Sequence, residues 1–365
     1  MPSISMEQPI HFPQPIHHPK HFDLGSAHEV PDSHTWPTIQ PNPPNGPNES
    51  IPVIDLSSPD VISLIGHACE SWGVFQVISH GVDLNLLHNL ESQARRLFSL
   101  PTQQKLKAGR SPNSISGYGL APISSLFSKL MWSEGFTISG SPLDHARSLW
   151  PDDYFNFCEV IEEYNKEMKR VAERLMQLML LSLGLTEETI KWAGPMNELQ
   201  DISSVLQLNS YPACPNPDRA IGLAAHTDSS LLTILYQSNT SGLQVLRPNK
   251  ESSPTQWVTV PPIPGALVVN VGDLCHILSN GRFHSVVHRA VVNRTEHRYS
   301  AAYICGPPAH VKVSPIVKPV GPAYRPITWR EYLGIKARLF DKALASVIIS
   351  EEDHNDNSTC LLSCV

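Results

Sequence analysis

Residues 224–235 read AAHTDSSLLTIL and set His226 and Asp228 two positions apart at the edge of an apolar run. On a β-strand, residues i and i+2 face the same way, so the imidazole and the carboxylate are expected to project together. The flanking Leu223, Ala224 and Ala225 turn that face inward. Neither polar group is readily buried alone. A hydrogen-bonded pair, an acid–base dyad or part of a metal site would each keep them there, and a third ligand would decide for metal. His276, His284, His288, His297 and His310 follow downstream, but only His284 and His288 lie near the start of the alternating stretch SVVHRAVVN. Two imidazoles and one carboxylate suit non-haem iron(II), leaving three coordination positions for exchangeable ligands. Zinc could use the same set, and spacing leaves both histidines open.

The stretch RYS bears on what would fill those positions. Arg298 and Ser300 share a strand face by the same i, i+2 rule. A planar guanidinium beside a hydroxyl is suited to gripping a carboxylate. The alternative is an edge-strand arginine in water. A keto acid with two carboxylates could chelate a metal at one end and meet Arg298 at the other.

The elements that must position these groups follow from periodicity. Residues 51–56, IPVIDL, are expected as a strand opening the folded region. A helix then follows with Ser58 or Asp60 as its cap and Val61, Leu64, Ile65 and Ala68 on one face. VFQVISHGV is a strand, and a second helix spans roughly 83–99. Residues 109–154, rich in Gly, Ser and Pro, form an excursion of loops and short strands, where binding sites often lie. A long helix over about 155–182 carries Ile161, Tyr164, Met168, Val171, Leu175, Leu178 and Ser182 as a stripe toward a core. From about 203 the period becomes two, with turns separating eight or so short strands. That pattern predicts a barrel or jelly roll inside helices, an α+β fold, with a final helix near 329–349.

Composition narrows the partners. A formal charge of -7 disfavours nucleic acid, which needs clustered basic residues. No run of about 18 apolar residues predicts a membrane span, and the N-terminus lacks the pattern of a secretory leader. Seven cysteines without CxxC spacing suggest reduced thiols and a cytoplasmic setting. Residues 1–50 hold 11 of the 33 prolines and are expected to be a flexible segment, as is the tail at 351–365. The segment HHPKH is taken as part of that polar tail rather than a metal site. Residues 51–200 would form the mainly helical region and 201–350 the β domain with its C-terminal helix.

Several motifs occur in one order: IPVIDL, WGVFQVISHGV, LNSYPACPNPD, HTD, GLQVL, PGALVVNVGDL, NGRFHSVVHR and RYS. Together they resemble the plant 2-oxoglutarate- and Fe(II)-dependent dioxygenases from about residue 50 to 345. The resemblance implies a double-stranded β-helix (jelly-roll or cupin-like) core flanked by helices. It implies His226, Asp228 and His288 as iron ligands, preferring His288 over His284 because the family's ligand is the histidine followed by arginine. It also implies Arg298 and Ser300 as the 2-oxoglutarate anchor, supported by Tyr211 and Asn209. Fe(II), 2-oxoglutarate and O2 are the implied cofactor and cosubstrates, with L-ascorbate as reductant.

Within the family, SKLMWSEGFTISGSPLDHARSLWPDDY (128–154) and WREYLGIKARLFDKAL (329–344) resemble the gibberellin 3-beta-dioxygenases. The implied substrate is a gibberellin precursor, a rigid apolar ring system with a carboxylate. Tyr118, Lys129, Trp132 and Phe136 in the excursion, with Tyr303 and the adjacent Ile304, are candidate walls for its pocket. Competing expectations are the same chemistry on another gibberellin position or a flavonoid, a hormone-binding protein without turnover, and a zinc hydrolase.

Overall fold

Alternation divides the β-rich residues between a face that meets helices and a face that meets a second sheet. The computed structural model describes residues 23–37, 50–111, 114–185, 203–247, 256–316 and 323–349. β1 (Val53–Asp55) and β2 (Val74–Ile78) bracket α1 (Val61–Ser71). After α2 (Leu84–Phe98) and a short α3 (Thr102–Lys105), the excursion holds β3 (Gly117–Gly119), β4 (Glu134–Ile138) and α4 (Leu143–Leu149). The 28-residue α5 (Phe155–Ser182) follows.

Eight strands come next: β5 (Ser204–Tyr211), β6 (Ile221–His226), β7 (Leu232–Gln237), β8 (Leu243–Leu246), β9 (Trp257–Thr259), β10 (Leu267–Val271), β11 (His288–Val291) and β12 (Arg298–Cys305). α6 (Asp273–Leu278) lies between β10 and β11. A ribbon of β13 (Lys312–Val313) and β14 (Ile327–Thr328) precedes α7 (Trp329–Leu339).

The larger sheet has the order β1-β2-β10-β7-β12-β5-β4-β3, and the smaller β6-β11-β8-β9. From β5 to β12 the chain passes back and forth between them, which winds the two sheets into the expected jelly roll. The front half does more than supply helices. Its four strands extend the larger sheet at both edges, which periodicity alone did not anticipate.

On β12, Tyr299, Ala301, Tyr303 and Cys305 join the helix-side core, where α5 contributes Ile161, Tyr164, Met168, Val171 and Leu175. On β5 the helix side takes Leu206 and Leu208. Arg298, Ser300 and Ala302 of β12 therefore face the smaller sheet, as do Gln207, Asn209 and Tyr211 of β5. At one end this interior is closed by Leu235, Leu243, Val245, Val258 and Val268. Five cysteines, Cys69, Cys158, Cys214, Cys275 and Cys305, are buried free thiols.

Several local expectations shift. The face of α1 that docks is Ile65, Ala68 and Cys69, whereas Leu64 is exposed on its flank. Asp60 precedes that helix without a side-chain cap bond. The final helix stops at Leu339 because Phe340 takes a φ of 47°, and 3-10 turns continue the chain. Part of the N-terminal segment is held against the core. Trp36 donates from Nε1 to the Leu130 carbonyl at 2.8 Å, and Leu24 packs with Trp132 and Tyr211. HHPKH and the tail at 351–365 lie outside the described residues.

The helix-side core sets the stability of the sheet that carries the site. Leu175, fully buried on α5, is a direct probe. Leu175→Ala is expected to lose roughly 2–5 kcal/mol, read as a lowered urea midpoint. Metal binding by the fraction that stays folded should be unchanged.

Candidate metal centre

His226 is the last residue of β6 and lies directly opposite His288, the first of β11. The imidazole centroids are 4.3 Å apart. Each ring uses Nδ1 on a backbone carbonyl: His226 on Ala224 at 2.8 Å, His288 on Val286 at 3.2 Å. A carbonyl can only accept, so Nδ1 carries a proton in both, and in the neutral ring Nε2 presents its lone pair. Both Nε2 atoms converge on Asp228 Oδ1, at 3.6 and 3.7 Å. Those separations are too long for hydrogen bonds, which removes the hydrogen-bonded pair as the reason for burial. Among the described residues, the buried Asp228 Oδ2 has no hydrogen-bond partner.

Three donors within 4.8 Å of one another, with an orphaned carboxylate oxygen among them, fit a divalent cation. Among the described residues they are the one such cluster. His284 is elsewhere, its backbone N–H bonded to the Cys69 carbonyl.

Electrostatics favour the same state. Burial, and then the neighbouring His288 ring, hold the His226 imidazole down to about 4, so it is neutral near pH 7. Burial pushes the Asp228 carboxyl up, but His288 and His226, together with the nearby Thr233 and Asn270 side chains, turn the net direction down.

Asp228 lies beyond the end of its strand, in the turn between β6 and β7, so the i, i+2 rule does not by itself aim it. Asp273, fully buried at the start of α6, does so. Its backbone N–H donates to the Asp228 carbonyl at 2.7 Å. Its Oδ2 accepts from Thr227 Oγ1 at 3.1 Å, Tyr332 OH at 2.8 Å and Lys336 Nζ at 2.7 Å. Its Oδ1 accepts from Ser285 Oγ at 2.6 Å. Lys336 Nζ also donates to Thr227 Oγ1. One carboxylate thus joins the turn bearing Asp228, the approach to His288 and α7.

A second polar cluster lines the interior. Arg298 pairs with Tyr211, and Ser300 with Asn209, across β12 and β5. Arg298 is buried, donates from Nη2 to Gln237 Oε1 at 2.9 Å, and lies 5.0 Å from the Tyr211 ring centroid. Its Nε has no partner, and among the described residues no carboxylate stands against it. A Cβ on Gly242 would come within 2.7 Å of Arg298 Cδ, so glycine there is what lets the arginine lie flat. Asn209 Nδ2 donates to Ser300 Oγ at 3.4 Å. An uncompensated buried guanidinium calls for an anion.

The other sequence candidates are placed differently. Tyr118, Phe136 and Tyr303 point to the helix-side core. Tyr303 is an odd number of residues from Arg298, which sends it to the opposite face. The Tyr118 hydroxyl donates to Glu134 at 2.5 Å on that same side. Ile304, level with Arg298 in parity, is only partly buried. Trp132 is fully buried and packs behind Tyr211. Lys129 donates to the Asp32 carbonyl at 2.8 Å, tying down residues 32–36 rather than facing the interior.

Residues 202–307 match the 2OG-Fe(II) oxygenase superfamily. Residues 51–153 match the N-terminal region of a non-haem dioxygenase in morphine synthesis. Gibberellin 3-beta-dioxygenase 1 of Pisum sativum is 51% identical, covering 98% of this chain and 99% of its own. Its Arabidopsis thaliana namesake is 53% identical over 93% and 95%. The chain belongs to the 2OG-Fe(II) oxygenase superfamily. The fold agrees with the structure of JOX2 in complex with 2OG, Fe and JA, with a TM-score of 0.74, 31% identity, and coverage of 89% of this chain and 95% of that one. The rice dioxygenase for auxin oxidation gives a TM-score of 0.67 at 26% identity, covering 82% and 100%.

Fe(II) and 2-oxoglutarate, the family's cofactor and cosubstrate, suit the two clusters. His226, Asp228 and His288 are the donors proposed for the metal, and Arg298 with Ser300 the proposed grip on the distal carboxylate. His288→Ala is expected to abolish Fe(II) retention by the purified protein, measured by metal analysis after dialysis, while His284→Ala keeps it. Asp273→Asn should weaken retention and lower unfolding stability by about 3 kcal/mol, because Lys336 then loses its buried counter-charge.

Proposed function

We propose that this protein is a gibberellin 3-beta-dioxygenase that hydroxylates gibberellin precursors at C3 in gibberellin biosynthesis. The observation that carries the reading is identity above 50% to such enzymes over nearly the whole chain, including the excursion and α7. Fe(II) held there would, with 2-oxoglutarate and O2, supply the oxidising power for one C–H bond, with succinate and CO2 as co-products.

The chain's own residues have three tasks. His226, Asp228 and His288 would hold the metal, a donor set of three that leaves room for exchangeable ligands. Arg298 and Ser300 fix the distal carboxylate of 2-oxoglutarate, with Tyr211 and Asn209 holding that pair in place. The apolar closure by Leu235, Val245 and Val268 excludes water from one end of the interior. Ascorbate would serve to keep the iron reduced between turnovers. No helix among the described residues is long and apolar enough to cross a membrane, and five buried free thiols support a cytoplasmic setting.

The test is direct. Purified protein with Fe(II), 2-oxoglutarate, ascorbate and a gibberellin lacking the 3-hydroxyl is expected to yield succinate and the 3β-hydroxy product in equal amounts by mass spectrometry. Hydroxylation at another carbon would keep the chemistry and overturn the position. Absence of succinate with every gibberellin tried would sink the enzyme reading in favour of a binding protein.

A further inference from the structure

A second arginine stands on the interior face with its charge unmet. Arg110 opens the excursion and is half-buried there. Its backbone N–H donates to the Tyr118 carbonyl at 2.9 Å, which folds residues 109–110 against β3. This close approach requires Gly117, whose φ is +118° and whose Cβ would sit 2.7 Å from the Ala108 carbonyl oxygen.

The guanidinium then crosses β3. Nη1 donates to the Leu120 carbonyl at 2.9 Å, and Nη2 to Thr137 Oγ1 at 2.6 Å. Nε is buried and has no partner. Only two of its five N–H donors are thereby assigned, and among the described residues no carboxylate pairs with it.

Thr137 places this arginine on the interior. It pairs with Gln207 across β4 and β5, on the face that also carries Asn209 and Tyr211. From Arg110 a chain of hydrogen bonds runs in one direction. Thr137 Oγ1 donates to Gln207 Oε1 at 2.5 Å, Gln207 Nε2 to Asn209 Oδ1 at 3.1 Å, and Asn209 Nδ2 to Ser300 Oγ at 3.4 Å. One end is the proposed grip on 2-oxoglutarate. The other is a half-buried cation held in place by two hydrogen bonds, which this cosubstrate does not need, since Arg298 is its proposed anchor.

We propose that Arg110 is the binding residue for the carboxylate of the substrate. This rests on the gibberellin reading above, because a gibberellin precursor is an acid with one carboxylate on an otherwise apolar frame. A charge-assisted contact at Arg110, with the metal at the other end, would fix the orientation in which one C–H bond is presented.

The experiment compares a gibberellin precursor as free acid and as methyl ester, using the full chain with Fe(II) and 2-oxoglutarate. For the unaltered protein, kcat/KM for the acid is expected to exceed that for the ester by roughly thirtyfold or more. In Arg110→Met the acid should lose that advantage, so that both are used alike, while Arg110→Lys recovers part of it. The KM for 2-oxoglutarate and the urea midpoint serve as controls that a merely structural role would move. Equal use of acid and ester by the unaltered protein overturns the anchor and leaves the proposed function standing. Persistence of the full acid preference in Arg110→Met also overturns it. If Arg110→Met does not fold, the ester comparison and Arg110→Lys still decide. Turnover of neither compound overturns the gibberellin reading itself, and the anchor with it.

Discussion

The site depends on the buried carboxylate of Asp273. Its side chain meets Thr227, Ser285, Tyr332 and Lys336, and its backbone meets Asp228. These partners come from three separate stretches of chain, two of which bear the proposed metal donors. A charged group in a fully enclosed position is tolerable only when its acceptor capacity is filled. Here filling it brings the turn after β6, the approach to β11 and α7 into one arrangement. The seating of the C-terminal helix and the geometry of the proposed metal site thereby share one carboxylate.

Parity along the larger sheet distributes the remaining work. β12 gives Tyr299, Ala301, Tyr303 and Cys305 to the helices and Arg298, Ser300 and Ala302 to the interior. A one-residue slip would exchange the two sets. The pairing of β12 with both β5 and β7 over most of its length guards against that slip. The same sheet accommodates two guanidiniums on its inner face, and among the described residues no carboxylate pairs with either. Gly242 makes room for one and Gly117 for the other.

Much of this was legible in the sequence. The long helix at 155–182, the change to period two near 203 and the histidine–carboxylate pair follow from residue types and spacing. The interior placement of Arg298 and Ser300 follows from alternation. What escaped was of two kinds. Strands in the front half look like isolated short apolar runs, and nothing local says that they join a sheet built much later in the chain. Side-chain facing in the excursion was equally hidden: Tyr118 and Phe136 look like pocket walls by composition, yet their strands turn them to the helices. Arg110 gave a weak signal, a lone arginine between Gly109 and Ser111, and its meaning appears only when β3 is laid against β4. The choice of His288 came from family resemblance, not from spacing, and the geometry brings that histidine, not His284, to Asp228.

The buried cysteines have a consequence for durability. Burial pushes the Cys275 and Cys305 thiols up to about 12 and raises those of Cys69, Cys158 and Cys214 as well. The thiolate is the form that peroxides attack. A protein that activates O2 at iron works beside a source of such oxidants whenever a turnover miscarries. Keeping these five sulfurs protonated and walled off shields the core from by-products of its own chemistry, so oxidative ageing should begin at the metal ligands rather than in the scaffold.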